Sequence, residues 1–184
     1  MIELRNLTVR FGNQTVLHDF SADIPLSGTT AISGASGCGK TTLLRVLMGL
    51  RKPDAGTVGE MRGLRVSAVF QEDRLLPWMS ALENVSLVSD EETAKRHLAA
   101  LGLSEAMGER PAALSGGMKR RVAFARALAY GGDLLLLDEP FNGLDEAAKR
   151  VAAEAILAAG MAVVVVTHSA EEMELLRAER VLRL

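Results

Sequence analysis

The stretch GASGCGKT, Gly34 to Thr41, constrains this chain more than any other, because it fills the pattern G-x-x-x-x-G-K-[ST] in full. An apolar run, TTAIS, precedes it and reads as a strand. The following KTTLLRVLMGL reads as a helix with Leu43, Val46, Leu47 and Leu50 on one face, closed by Pro53 and Gly56. A glycine-rich turn between a strand and a helix start curls successive backbone N–H groups toward one point, where phosphate oxygens fit. Gly37 and Gly39 keep side chains out of the turn and the approach, while Gly34, Ala35, Ser36 and Cys38 complete it, Cys38 through its backbone. Lys40 supplies a full positive charge to the outer phosphates. Thr41 and Thr42 open the helix, and the Thr41 hydroxyl is placed to ligate Mg²⁺. A purely structural turn needs neither the lysine nor the threonines.

The rest of the chain is expected to form one α/β domain over residues 1–184. IELRNLTVRF alternates as a strand, TVLHDFSADI follows a Gly-Asn break, and RVSAVF is a short strand running up to Gln71. Residues 80–110 read as short polar-faced helices, which predicts a helical lobe over about residues 72–130 inserted between β-containing parts. A helix over 115–130, DLLLLDEP, a helix near 145–159, MAVVVVTH and a final helix then alternate, and their unbroken apolar strands suit a parallel sheet covered on both faces. With 21 Lys+Arg against 23 Asp+Glu the net charge is -2, which gives no global reason to expect nucleic acid or an anionic membrane as partner. The single cysteine cannot form an internal disulfide, and the start MIELRNLTVRF lacks an apolar core with a cleavage site. A reducing, cytoplasmic setting is expected. No segment approaches the roughly 20 apolar residues of a membrane span, so a membrane role would pass through another protein.

Chemistry beyond the phosphate loop gathers at strand ends. Asp138 ends LLLLD and can reach Mg²⁺ directly or through water; Glu139 lies one residue farther, toward an attacking water. His168 ends VVVVTH at the same expected edge, either as a group aimed at the phosphates or as a cap on the next helix. A second anion-directed helix start is LSGGMKRRVAFARAL, where Ser115, Gly116 and Gly117 precede a helix whose Met118, Val122, Ala125 and Ala129 point inward. Lys119, Arg120 and Arg121 are expected on its solvated face.

Taken in order, GASGCGKT, Gln71, LSGGM, LLLLDEP, GLD and His168 resemble the nucleotide-binding subunit of ABC transporters over nearly the whole chain. LSGG about twenty residues before an Asp-Glu strand end is the specific part. The resemblance implies a P-loop NTPase core with a mainly parallel sheet, an N-terminal antiparallel β lobe and an inserted helical lobe carrying the signature. It also implies ATP and Mg²⁺ as cofactors and a head-to-tail dimer, with itself or a similar cassette, enclosing two ATP molecules. In that dimer Gly34 to Thr41 hold one nucleotide, while Ser115, Gly116 and Gly117 cover the γ-phosphate of the partner's. Gln71 would sense the Mg²⁺ and water and link the helical lobe to the core, Asp145 in NGLD would sit at the dimer contact, and Phe11 would either stack on adenine or pack in the β lobe.

FQEDRLLPWMSALENV, Phe70 to Val85, is similar to importers of nitrate, aliphatic sulfonates and taurine. That similarity implies a transmembrane permease as partner and a periplasmic or extracellular binding protein in the same complex. Trp78 and Leu76 are either exposed docking residues or buried under the helical lobe. Two departures from the family stand out: Met118 replaces a common polar glutamine, and Asn142-Gly143 precede Leu144 and Asp145 where serine is usual. The short span after His168 predicts a compact cassette without a regulatory C-terminal domain. A soluble ABC-type ATPase, or one of cell division or lipoprotein release, that imports no solute is the alternative function. A DNA-repair type is disfavoured by the lack of a long heptad insertion.

Overall fold

A computed structural model of the chain describes residues 1–59, 61 and 63–184. Strands β1 (Ile2–Phe11) and β2 (Gln14–Ile24) pair antiparallel across Gly12 and Asn13. Ile2 and Leu4 are buried, as are Leu7 and Val9, so the alternation slips by one residue near Asn6. Register shifts after Leu4 and the positive φ of Asn6 (51°) mark a bulge there, which lets both halves of β1 keep apolar residues inward. Strand β4 (Ala55–Val58) adds to the other edge of β1. It falls where Pro53 and Gly56 were expected only to close a helix.

The second sheet holds β3 (Thr29–Ser33), β5 (Val66–Val69), β6 (Leu134–Asp138), β7 (Ala162–Val166) and β8 (Ala178–Arg183) in the order β5-β6-β7-β3-β8, every neighbouring pair parallel. The expected α/β fold, with a parallel core sheet and an N-terminal antiparallel lobe, is the fold observed. Successive residues of the central strands serve opposite faces: Leu135, Leu137, Val163 and Val165 join one core, and Leu134, Leu136, Val164 and Val166 the other. That double burial is why these strands read as continuous apolar runs.

Helix α1 (Lys40–Leu47) covers one face, and α2 (Ala81–Ser86), α3 (Glu91–Ala100), α4 (Gly116–Tyr130) and α5 (Glu146–Ala158) gather with the other core. The helix of the phosphate loop is shorter than expected. It ends before Gly49, whose φ of 70° stops the right-handed run, and Leu50 is 65% exposed rather than on the buried face. The last helix, α6 (Ala170–Leu175), is likewise brief, and the chain returns as β8 along β3. Arg120 also departs from expectation. It is buried, not solvated, because its guanidinium is bonded to the segment following β5.

Candidate functional site: a phosphate cleft at the strand ends

A parallel sheet brings all its C-terminal strand ends to one edge, where ligands of open α/β folds collect. β3 delivers the phosphate loop, β5 delivers Gln71, β6 delivers Asp138 and Glu139, and β7 delivers Thr167 and His168 to that edge. A cleft of about 340 Å³ lies there, lined by Ser36, Gly37 and Gly39 to Thr42 of the loop and by Gln71, Glu139 and Val166, with Val16 on the β-hairpin side.

The loop is shaped by close approaches. Gly39 has φ 104°, and a Cβ on it would lie 2.8 Å from Leu17 Cδ2 and 2.9 Å from the Val16 carbonyl. Both the conformation and the contact exclude a side chain. At Gly34 a Cβ would come within 2.8 Å of Cys38 Sγ and of the Leu184 carbonyl, so the end of β8 presses on the base of the loop. Lys40, nearly buried, donates from Nζ to the carbonyls of Gly34 and Ala35, both at 2.8 Å. Its charge is thus held by the loop's own backbone, and a phosphate oxygen would offer it a stronger, charged acceptor.

Thr41 Oγ1 donates to Asp138 Oδ2 at 2.9 Å, joining the loop to the acidic strand end. Burial pushes the Asp138 carboxyl above its ordinary pKa; the Thr41 hydrogen bond works against this, and the neighbouring Glu139 adds to it. Glu139 has a left-handed backbone (φ 46°), a conformation costing a non-glycine residue on the order of 1 kcal/mol. Its N–H donates to the Val166 carbonyl at 2.9 Å and its Oε2 accepts from Asn142 Nδ2 at 2.8 Å, contacts that hold it at the cleft.

Thr41, Asp138 and Gln71 present a hydroxyl, a carboxylate and an amide, the hard oxygen donors that suit Mg²⁺. Among the described residues no group of three or more His, Cys, Asp or Glu could hold a metal. A cation at this cleft would therefore share its coordination with phosphate oxygens and water.

His168 is exposed beyond β7 and is not the cap of α6. Ser169 is the cap, its Oγ accepting from Glu172 N at 3.3 Å. The turn carrying His168 is fastened from below, since Thr167 Oγ1 donates to the buried Glu172 carboxylate at 2.5 Å and accepts from Ser169 N at 3.1 Å. Phe11 is 46% exposed at the end of β1, with the Arg51 guanidinium 5.1 Å from its ring centroid, and it does not line the cleft. A place in the β-lobe core is thereby ruled out for it. Val16, which does line the cleft, carried no signal in the sequence beyond its place in an alternating strand.

The second glycine-rich helix start lies apart from this cleft. Ser115 caps α4, its Oγ accepting from Met118 N at 3.2 Å, and Ser115 and Gly116 are exposed. Asp145 is exposed and caps α5 through Oδ1 to Ala148 N at 2.8 Å. Neither Ser115, Gly116, Gly117 nor Asp145 lines the cleft of its own chain. Trp78 is 65% exposed, whereas Leu76 is half-buried and bonded through its backbone to the fully buried Asn84. Asn84 also donates to the carbonyls of Met79 and Ser80, fixing the turn that presents the indole, and nothing in the sequence singled it out.

Comparison with known proteins agrees with this geometry. The profile of the ABC transporter family matches residues 17–142. The chain is 43% identical over 93% of its length, and 68% of the relative's, to a protein of Pseudomonas savastanoi pv. phaseolicola named aliphatic sulfonates import ATP-binding protein SsuB 3. It is 41% identical over its full length, and 78% of the relative's, to the SsuB 1 protein of that description from Rhodococcus jostii. Among solved structures, the dimeric structure of MJ0796, a bacterial ABC transporter cassette, superimposes with a TM-score of 0.86 at 29% identity, covering all of this chain and 94% of the other. A post-hydrolysis state of that cassette bound to ADP and Pi gives a TM-score of 0.83 at 31% identity with the same coverage. Identity of this extent on a shared fold leaves one conclusion: the chain belongs to the ABC transporter family.

Proposed function

We propose that this chain is the Mg²⁺-dependent, ATP-hydrolysing subunit that powers solute import through a membrane permease. The observation that carries the reading is the cleft itself, where a full phosphate loop, the Thr41–Asp138 pair, Gln71 and Glu139 converge. In this reading Gly34 to Thr42 bind the triphosphate, with Lys40 on its outer phosphates. Thr41, Asp138 and Gln71 hold Mg²⁺, which when bound neutralises charge on the phosphate oxygens. Glu139 accepts the proton of the attacking water, and His168 supports the γ-phosphate from the neighbouring strand end. Phe11 stacks on adenine, an assignment supported by its exposure on the hairpin that also supplies Val16.

The LSGG start serves the nucleotide of a second cassette in a head-to-tail dimer. Support comes from Gly116, where a Cβ would meet nothing within 4 Å in this chain. This glycine, the first residue of α4, has no packing reason within its own chain. Close approach of a partner's phosphate supplies the reason. Asp145 lies at the contact of that dimer. MJ0796 is described as a dimeric cassette, which supports a dimer here.

No helix among the described residues is long and apolar enough to cross a membrane. Attachment at the cytoplasmic face is therefore assigned to the permease, with Trp78 as a docking residue beside the segment that carries Gln71. The relatives are named as aliphatic sulfonate importers, and we take an organosulfonate as the solute class, delivered by an extracytoplasmic binding protein.

Replacing Glu139 with Gln tests the reading, because size and hydrogen bonding are kept while the charge goes. The variant should bind ATP but hydrolyse it at least about 100-fold more slowly, the scale of a lost general base. It should also accumulate as an ATP-bound dimer in light scattering. Parental turnover by Glu139→Gln would remove Glu139 from this role.

A further inference from the structure

The helix that begins with LSGG does more than present its first turn. Arg120, 6% exposed on α4, donates through Nη1 to the Phe70 carbonyl and through Nη2 to the Gln71 carbonyl at 2.5 Å. Its Nε lies 3.2 Å from Asp73 Oδ1. Farther along the same helix, Arg126 donates to the Asp73 carbonyl at 3.0 Å and to the Arg74 carbonyl at 2.9 Å. Two arginines of one helix thus grip the backbone from Phe70 to Arg74, immediately behind a glutamine that lines the nucleotide cleft.

We propose that Arg120 is a positioning residue for Gln71: its forked donor set holds the Gln71 carbonyl, keeps the amide on the cleft, and makes the LSGG start and Gln71 one rigid body. A planar guanidinium can meet two carbonyls and a carboxylate at once, whereas an ammonium or an amide cannot reproduce that set. Loops gain fixed geometry when their backbone acceptors are bonded to a helix, and displacement of a reacting-site group by about 1 Å costs up to about 100-fold in rate. In the dimer proposed above, the LSGG start covers one nucleotide while Gln71 belongs to the other. Arg120 therefore transmits movement between the two sites. The inference rests on the ATPase reading for its kinetic consequence, but not for the clamp itself.

A double-mutant cycle on the purified chain tests it, with Arg120→Gln, Gln71→Ala and the double variant. Arg120→Gln should lower kcat by about 10- to 100-fold and raise the Mg²⁺ concentration needed for half-maximal rate, with KM for ATP within about two-fold. In the Gln71→Ala background Arg120→Gln should cause no further loss of kcat, because its effect acts through that glutamine. Arg120→Lys, which keeps the charge facing Asp73, should recover part of the rate. If Arg120→Gln does not fold, Arg120→Lys carries the same cycle. Independently of hydrolysis, amide exchange over residues 70–74 should quicken by about ten-fold or more in the variant while residues 34–41 keep their protection. A chain that hydrolyses ATP but shows multiplying losses, or unchanged exchange over 70–74, overturns the proposal. A parental chain that hydrolyses no ATP overturns the ATPase reading, and the exchange result alone then decides the clamp.

Discussion

The phosphate loop and the LSGG start are both glycine-rich openings of helices, yet the chain completes only one of them. At the phosphate loop, Gly34 and Gly39 are pressed by neighbours of the same chain, Lys40 is nearly buried on loop carbonyls, and Thr41 is tied to Asp138. At the LSGG start, Ser115 and Gly116 face solvent, a Cβ at Gly116 would touch nothing, and one at Gly117 would make only ordinary contact with Leu144 at 3.4 Å. A preorganised binding site spends packing on its own shape. The LSGG glycines answer to no such contact within the chain. In the dimer proposed above, the first is a site that binds alone and the second is half of a site.

Damage to the loop should have the largest effect. Lys40→Ala removes the one cation held inside the cleft's loop and should abolish measurable hydrolysis, a loss of at least about 100-fold, while circular dichroism stays parental. Parental ATPase rates in this variant would break the first half of the comparison. Next comes Gly117→Glu, which has room in the free chain but places a carboxylate where a partner's phosphate must approach. Combined with Glu139→Gln it should prevent ATP-dependent dimerisation in light scattering. ATP affinity of the monomer, read by equilibrium binding, should stay within about two-fold. A lost monomer affinity would show that LSGG serves its own chain's nucleotide.

Asp138→Asn sharpens the contrast through a smaller effect on stability, opposite in sign to its effect on hydrolysis. The folded-state pKa of Asp138 is raised, chiefly by burial, so the folded chain binds this proton more tightly than the unfolded chain. Stability contributed by the protonated carboxyl is complete below the unfolded value and is lost as pH rises through the folded value. At neutral pH the charged carboxylate is therefore a cost, and Asn removes it while keeping an acceptor for Thr41. The nucleotide-free variant should unfold at a higher temperature than its parent and lose Mg²⁺-dependent hydrolysis. A lower unfolding temperature would show that the carboxylate stabilises the free chain. The smallest expected change is from Ser115→Ala, which removes one helix cap and should cost about 1 kcal/mol in denaturant unfolding. A much larger loss would mean that the LSGG start is packed into the fold after all.

The parts whose chemistry is local are legible in the amino-acid sequence alone. Gly34 to Thr41 needs only eight adjacent residues to define a phosphate cradle, and the apolar runs ending at Asp138 and before His168 announce doubly covered strands with polar tips. Hence the fold and the order of candidate groups around it are legible in the sequence. What depends on distant partners is not. Strand β4 is short and carries a glycine, and β8 is mostly exposed with a polar sequence, so neither shows a period; each exists because β1 or β3 offers an unpaired edge. Arg120 lies in a basic run that looks solvated, and only the return of residues 70–73 against α4 supplies the carbonyls and the carboxylate that bury its charge. A buried cation is stable only when its donors are met, and here the acceptors lie some fifty residues away in the chain, a pairing that composition and spacing do not encode.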